Sequence, residues 1–282
     1  MPNVTIGALA LTFLAAGALH EPLTAQSMRT VTMSRQLTGD DEVRVAVSYG
    51  AGRFTVRSID EGLLYRMNLT YDEDAYEPVA DFSGDRLELG VQSIRGGRSL
   101  RGRREAGELA LELGRGVPMR LDLEFGAVRA DIDLGGLELS ALELSTGASE
   151  SSIDISELNR AQIGTARFEV GAAEFTARHL GNLNAERIEV DAGVGSLTLW
   201  LNGDWQRDAR LSIDIGLGAL ELRVPEGLGL DIRKDSFLTS LDSEGLVKRG
   251  DSYRSLDWDG ADRKITVDLD AAFGSVKVVW VR

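Results

Sequence analysis

Leu211-Ser-Ile-Asp-Ile-Gly216 states the rule by which most of the chain is built. Apolar and polar residues alternate with period two, as in a strand with one face on a core and the other in water, and a glycine ends the run. The same phrase occurs upstream as Ile188-Glu-Val-Asp-Ala-Gly193, Phe168-Glu-Val-Gly171, Leu142-Glu-Leu-Ser-Thr-Gly147 and Leu121-Asp-Leu-Glu-Phe-Gly126. The closing glycines recur at a nearly constant interval of about 22 residues. A sandwich turns every 8–12 residues or so without a longer period, whereas a regular repeat of this length suits one coil of a stacked architecture.

A second alternating strand follows each of these glycines: Asp131-Ile-Asp-Leu134, Ile153-Asp-Ile155, Ser196-Leu-Thr-Leu-Trp200 and Ala219-Leu-Glu-Leu222. The expected fold is all-β, a β-solenoid or parallel β-helix-like stack of coils of about 22 residues. Leu121, Leu123, Leu142, Leu144, Ile188, Val190, Leu211 and Ile213 should point inward. Glycine is expected at the corners, where a sharp bend needs a positive φ or a close backbone approach.

Outward from the repeat, Val43-Arg-Val-Ala-Val-Ser-Tyr-Gly-Ala-Gly-Arg-Phe-Thr-Val56 has the same strand-Gly-strand shape, with further strands expected at 64–70 and 86–91. Residues 26–94 read as a small N-terminal β module capping one open end of the stack, where a bare edge invites aggregation. Residues 95–107 read as an Arg/Gly-rich linker or loop and 108–282 as the solenoid domain. Lys264 to Val278 restores the motif after an irregular stretch from about 234 to 263, read as an excursion or cap.

Two segments carry a family likeness. Val45-Ala-Val-Ser-Tyr-Gly-Ala-Gly-Arg-Phe-Thr-Val56, followed by Leu63-Leu-Tyr-Arg-Met-Asn-Leu-Thr-Tyr71, resembles the N-terminal toast-rack domain of bacterial envelope proteins of unknown function. Tyr253-Arg-Ser255, ahead of Ile265-Thr-Val-Asp-Leu269 and Phe273-Gly-Ser-Val-Lys-Val278, is similar to the C-terminal domains of LiaF-type cell-wall-active antibiotic response proteins and related adhesin-like proteins. The resemblance implies a β-solenoid and an envelope location, and hands over no catalytic residue. The resemblance to the membrane-anchored regulators does not extend to their multi-span N-terminal region, so a role in restraining a sensor kinase is not expected.

Composition narrows the function. The 282 residues are 43% hydrophobic, enough for a real core. A net charge of −14 disfavours nucleic acid, whose phosphates need a basic surface. Without cysteine there is no disulfide, thiolate metal site, iron–sulfur cluster or thiol nucleophile. Val4 to Leu19 is apolar, too short for a typical span of about 20 residues, and reads with its polar sequel as a signal peptide over 1–25. Ala16 and Ala18 allow cleavage after Ala18, while cleavage after Ala25, where the polar stretch begins, is favoured.

The outward acids Asp122, Glu124, Glu143, Glu189, Asp191, Asp214, Asp268 and Asp270 recur at matching places in the repeat. Stacked about 4.8 Å apart they form columns, of which Asp122, Glu143, Glu189, Asp191 and Asp214 are candidates for a cation or partner contact. Water, salt and neighbouring arginines screening a solvated face is the plainer account. Arg95, Arg98, Arg101, Arg103 and Arg104 crowd a Gly-rich segment and are candidates for gripping an anion or partner, against a plain linker or a loop folded onto the acidic face. Asp257 to Asp262 reads as a polar turn, since the order of a calcium loop is missing. Ser149, Ser151 and Ser152 lack the nucleophile elbow, and His179 has no evident orienter. Trp200 and Trp280 read as packing at strand ends.

The expected function is an exported, non-enzymatic, envelope-associated interaction or scaffold module without a cofactor, adhesin-like, with envelope stress sensing added by the resemblance. Its partner is an envelope protein or glycan, and its place the periplasm or cell surface. The alternative is a carbohydrate-active β-helix enzyme, a lyase or hydrolase of an acidic polysaccharide, working with Asp, Lys and Arg alone.

Overall fold

The computed structural model describes residues 27–39, 41–94, 107–242 and 244–282. The expected signal peptide lies outside them. Sixteen strands and one 3-10 turn, Leu180–Leu183, make up the regular elements among the described residues, so the all-β class holds.

The central ladder is parallel and in register. β7 (Pro118–Asp133), β8 (Glu138–Thr146) with β9 (Glu150–Asp154), β10 (Ile163–Arg178), β11 (Ala185–Trp200) and β12 (Ala209–Pro225) pair in that order. Leu121, Leu142, Ala166, Ile188 and Leu211 therefore sit one above the other. All eight residues expected to point inward are at most 2% exposed. Phe168 and Phe175 meet inside at 5.8 Å between ring centroids, one from each arm of β10.

β2 (Val43–Ile59) pairs with β7 along both arms, from Val43 opposite Met119 to Val56 opposite Ile132. Beyond β2 the arms part. Its first arm pairs with β5 (Arg86–Ser93), which carries β4 (Tyr76–Ser83) antiparallel. Its second arm pairs with β6 (Gly107–Gly114), followed by β3 (Leu63–Asp72) and the edge strand β1 (Met28–Gln36).

At the far end the order is not that of the sequence. β16 (Lys264–Val281) lies between β12 and β13 (Gly229–Asp242), parallel to both. The stretch expected to be irregular from about 234 thus begins as regular strand. Only its later part folds into the short hairpin of β14 (Leu246–Arg249) and β15 (Ser252–Ser255), which pairs antiparallel with the edge of β13.

The repeat glycines are not chain turns. Of the five, only Gly147 falls between strands, and Gly126, Gly171, Gly193 and Gly216 are bends inside long ones. They answer to close approach, since a Cβ on Gly216 would lie 2.7 Å from the Gly193 carbonyl oxygen. The positive φ falls two residues later. Gly195 has φ +146°, and a Cβ there would lie 1.9 Å from the Ala173 oxygen.

In the segments that join the long strands, asparagine side chains satisfy backbone groups of neighbouring rungs. Buried Asn159 receives the Leu139 N–H at 3.0 Å and donates to the Leu139 oxygen at 2.8 Å. Asn182 donates to Ile155 O at 2.7 Å and accepts from the Asp204 N–H at 2.8 Å. Without them these inward backbone groups would lose their partners, at about 1–3 kcal/mol each.

Gly195→Ala should cost about 2 kcal/mol or more, because φ and the opposing carbonyl both resist a side chain. Gly164→Ala, with nothing within 4 Å of its Cβ, should change stability by less than about 0.5 kcal/mol. Urea denaturation of both variants checks the contrast, and equal losses would contradict it.

Candidate interaction faces

Because the rungs are in register, outward residues form true columns. The first runs Asp122, Glu143, Arg167, Glu189, Ser212, Asp268, Arg233. From Glu143 onward its charges are compensated, while Asp122 has no cationic partner within 4 Å among the described residues. Arg167 lies 2.8 Å from Glu189 and 3.6 Å from Glu143, and Arg210 and Arg233 approach Asp268 at 3.4 and 3.8 Å.

The neighbouring column, two residues nearer the bend, runs Glu124, Ser145, Glu169, Asp191, Asp214, Asp270, Asp235. Its ends are six rung spacings apart, about 29 Å at about 4.8 Å each. None of its six carboxylates has a cationic partner within 4 Å among the described residues. Burial first, then the carboxylates of Asp270 and Asp191, raises the Asp214 pKa above the ordinary carboxylate range. In the other column burial, then Glu143 and Glu124, does the same to Asp122.

The sequence expectation therefore divides. Asp122, Glu143, Glu189 and Asp268 stand in the compensated column, and Glu124, Asp191, Asp214 and Asp270 in the uncompensated one. Glu169 and Asp235 are additions that the sequence reading lacks. Glu169 stands two residues before Gly171, as Asp191 does before Gly193, and that offset identifies it. Asp235 is invisible from spacing, because β13 joins the ladder beyond β16. Arg95, Arg98, Arg101, Arg103 and Arg104 lie outside the described residues.

The acid column crosses two grooves. One, of about 770 Å³, follows the bend past Ser48–Gly50, Glu124–Gly126, Ser145–Gly147 and Glu169–Gly171 to Asp191. The other, of about 850 Å³, lies between Asp191, Asp214, Asp270 and Asp235 and the side chains of Lys248 and Tyr253 at the terminal hairpin. Past the bend, Val194, Leu217 and Phe273 stack in register on an exposed ridge, each about half accessible to solvent.

Other chemistry-bearing residues serve local contacts. His179 sits at φ 55°, and its Nδ1 lies 2.6 Å from Asp154 Oδ1. That orienter is distant in the chain and leaves no mark in the sequence around His179. Ser151 and Thr146 donate to Ser149 Oγ at 2.9 and 2.6 Å. Trp205 donates to Leu201 O and Trp280 to Glu244 O, while the Arg223 guanidinium lies over Trp200 at 4.5 Å. Asp257 to Gly260 is a turn closed by the Gly260 N–H on Asp257 O. Among the described residues no three His, Asp or Glu side chains gather as metal ligands, and no helix is long and apolar enough to cross a membrane.

Residues 24–178 and 167–223 match the family described as "N-terminal domain of toast_rack, DUF2154". Among solved structures, a "putative cell adhesion protein" from Clostridium sporogenes is similar at 15% identity and a TM-score of 0.45, over 90% of this chain and 100% of its own. A "putative adhesin" from Bacteroides fragilis is similar at 10% identity and a TM-score of 0.39, over 89% and 97%. A "putative lipid binding protein" from Parabacteroides distasonis follows at 11% identity and 0.32, over 89% and 96%. No curated protein matches the chain.

A raised carboxyl pKa means that the folded state binds the proton more tightly than the unfolded one, so Asp214 lowers stability as pH rises through its raised value. Asp214→Asn should raise the melting temperature near neutral pH and flatten the part of the stability curve just above the ordinary carboxylate range. Thermal melts across pH check this, and a lower neutral-pH melting temperature would contradict it.

Proposed function

The chain belongs to the toast-rack N-terminal domain family, and on that footing we propose that it is an exported, non-enzymatic β-solenoid module that binds an envelope protein or glycan through its outer faces. The observation that carries this reading is the uncompensated acid column. Five carboxylates on consecutive rungs, with Glu124 one rung beyond Ser145, repel one another, and a ligand that neutralises them gains what the free protein lacks. In the neighbouring column arginines pair with Glu143, Glu189 and Asp268, so a ligand has less charge to neutralise there. Export rests on the apolar segment from Val4 to Leu19.

A second reading has one observation in its favour. In the terminal groove Asp191, Asp214 and Asp270 face Lys248 and Tyr253, and a polysaccharide lyase or hydrolase can be built from acids and cations alone. The groove is broad and open, and no pair of its side chains is held by a hydrogen bond that would fix an acid and a base.

Crosslinking in intact cells with the full-length chain separates the two. The binding module should give a discrete crosslinked envelope product. Asp191→Asn/Asp214→Asn/Asp270→Asn should reduce it about tenfold, equivalent to about 1.4 kcal/mol of affinity. Recovery of uncrosslinked protein that cleaves an acidic polysaccharide would overturn the reading.

A further inference from the structure

Both ends of the stack are sheet edges. On the first arm the ladder ends at β4 and at β14, which among the described residues pair only with β5 and with β15. A bare edge offers a row of unpaired N–H and C=O groups to any strand that meets it. The two edges are opposite in charge. β14 carries Lys248 and Arg249 and no acid, whereas β4 carries Glu77 and Asp81 and no base. All four are exposed, and none has an oppositely charged partner within 4 Å among the described residues. The same ends expose apolar side chains: Tyr76 on β4 is 38% exposed, Val247 on β14 is 41% and Leu256, just past β15, is 74%.

Strand direction fits one edge to the other. β15 is antiparallel to β13 and β14 is antiparallel to β15, so β14 runs with the ladder. β4 runs against it, being antiparallel to β5, which is itself parallel to β2. Where two copies stack in the same sense, β14 of one therefore meets β4 of the next as an antiparallel pair. The first arm also reaches farther. Beyond β2 and β13 it carries β5, β4, β15 and β14, whereas the second arm carries β6, β3 and β1. As two copies approach end to end, the first-arm edges touch before anything on the second arm obstructs them.

We propose that the chain associates head to tail, β14 of one copy adding to β4 of the next and continuing the first-arm sheet across molecules. Alternation sorts the side chains. Leu246 and Ala80, which pack against the cores of their own copies, come together on the inward side. Arg249 and Val247 join Glu77, Val79 and Asp81 on the outward side. Opposite charges across an antiparallel pair stabilise it, and like charges directly opposite do the reverse. Two β14 edges would set cation against cation and two β4 edges acid against acid, so charge selects the unlike ends. A contact between unlike surfaces does not close about a twofold axis and grows into a row. β14 is four residues long and Pro78 has no N–H to give, so each junction is weak and reversible. The contact uses neither acid column and is independent of what binds there.

Sedimentation equilibrium of the full chain tests this up to about 1 mM, the range of a weak contact. The average mass should rise with concentration and fall back toward that of one chain as salt rises. Lys248→Glu/Arg249→Glu makes both edges acidic, and Glu77→Lys/Asp81→Lys makes both basic, so each variant alone should keep the mass of one chain. Mixed in equal amounts the two should associate again, because every junction in the mixture joins an acidic edge to a basic one. A wild-type chain that keeps the mass of one chain throughout would overturn the proposal. So would a variant that associates alone to the wild-type extent, or a mixture that stays dissociated although circular dichroism shows both variants folded.

Discussion

Each rung of this protein rests on the carbonyl oxygens of the rung before it, and on most rungs glycine stands at the bend, where a side chain would meet those oxygens. At Gly195, Gly218 and Gly274 an added Cβ would lie 1.9, 1.9 and 1.8 Å from the oxygen beneath. That contact fixes the register, because a slip by one residue would put a side chain against a carbonyl and turn every Leu, Ile and Val of the rung to solvent. Core, columns and grooves all follow from it. The same glycines that let the rungs close up also leave a groove along Gly50, Gly126, Gly147 and Gly171.

Register converts a sequence repeat into a surface pattern. In the column beginning at Asp122, Arg167 comes between Glu143 and Glu189 and the charges cancel locally. In the column beginning at Glu124 no arginine appears on any rung, and Ser145 is the one neutral break. Two columns separated by a single inward residue along each strand thus have opposite electrostatic characters. The exposed apolar ridge of Val194, Leu217 and Phe273 lies just past the bend from the uncompensated one.

Much of this is legible in the sequence because period-two alternation and a glycine recurring every 22 residues or so are local signals, repeated until they are unmistakable. The inward set and the outward acids follow directly. Three features are not legible. A bend and a turn cannot be told apart, since a glycine within an alternating run has the same appearance in either case. The asparagine closures depend on Asn159 and Asn182 reaching the backbone of Leu139 and Ile155 on other rungs, and lone asparagines in loops carry no such sign. The placement of β16 between β12 and β13 is a long-range choice. The repeat motif at 264–278 shows that a rung exists and says nothing about which neighbours it takes.

That placement offers the most direct test of in-register stacking. The chain has no cysteine, so engineered pairs report without background. Asp214 is paired with Asp270, whereas Asp235, much nearer to Asp214 along the chain, lies one rung farther away in space. Adjacent rungs are about 4.8 Å apart, within disulfide reach, and alternate rungs about 9.6 Å apart, beyond it. Under mild oxidation Asp214→Cys/Asp270→Cys should form a disulfide and Asp214→Cys/Asp235→Cys should not. A disulfide in the second pair and none in the first would mean that the rungs stack in sequence order, and the columns described here would not exist beyond β12.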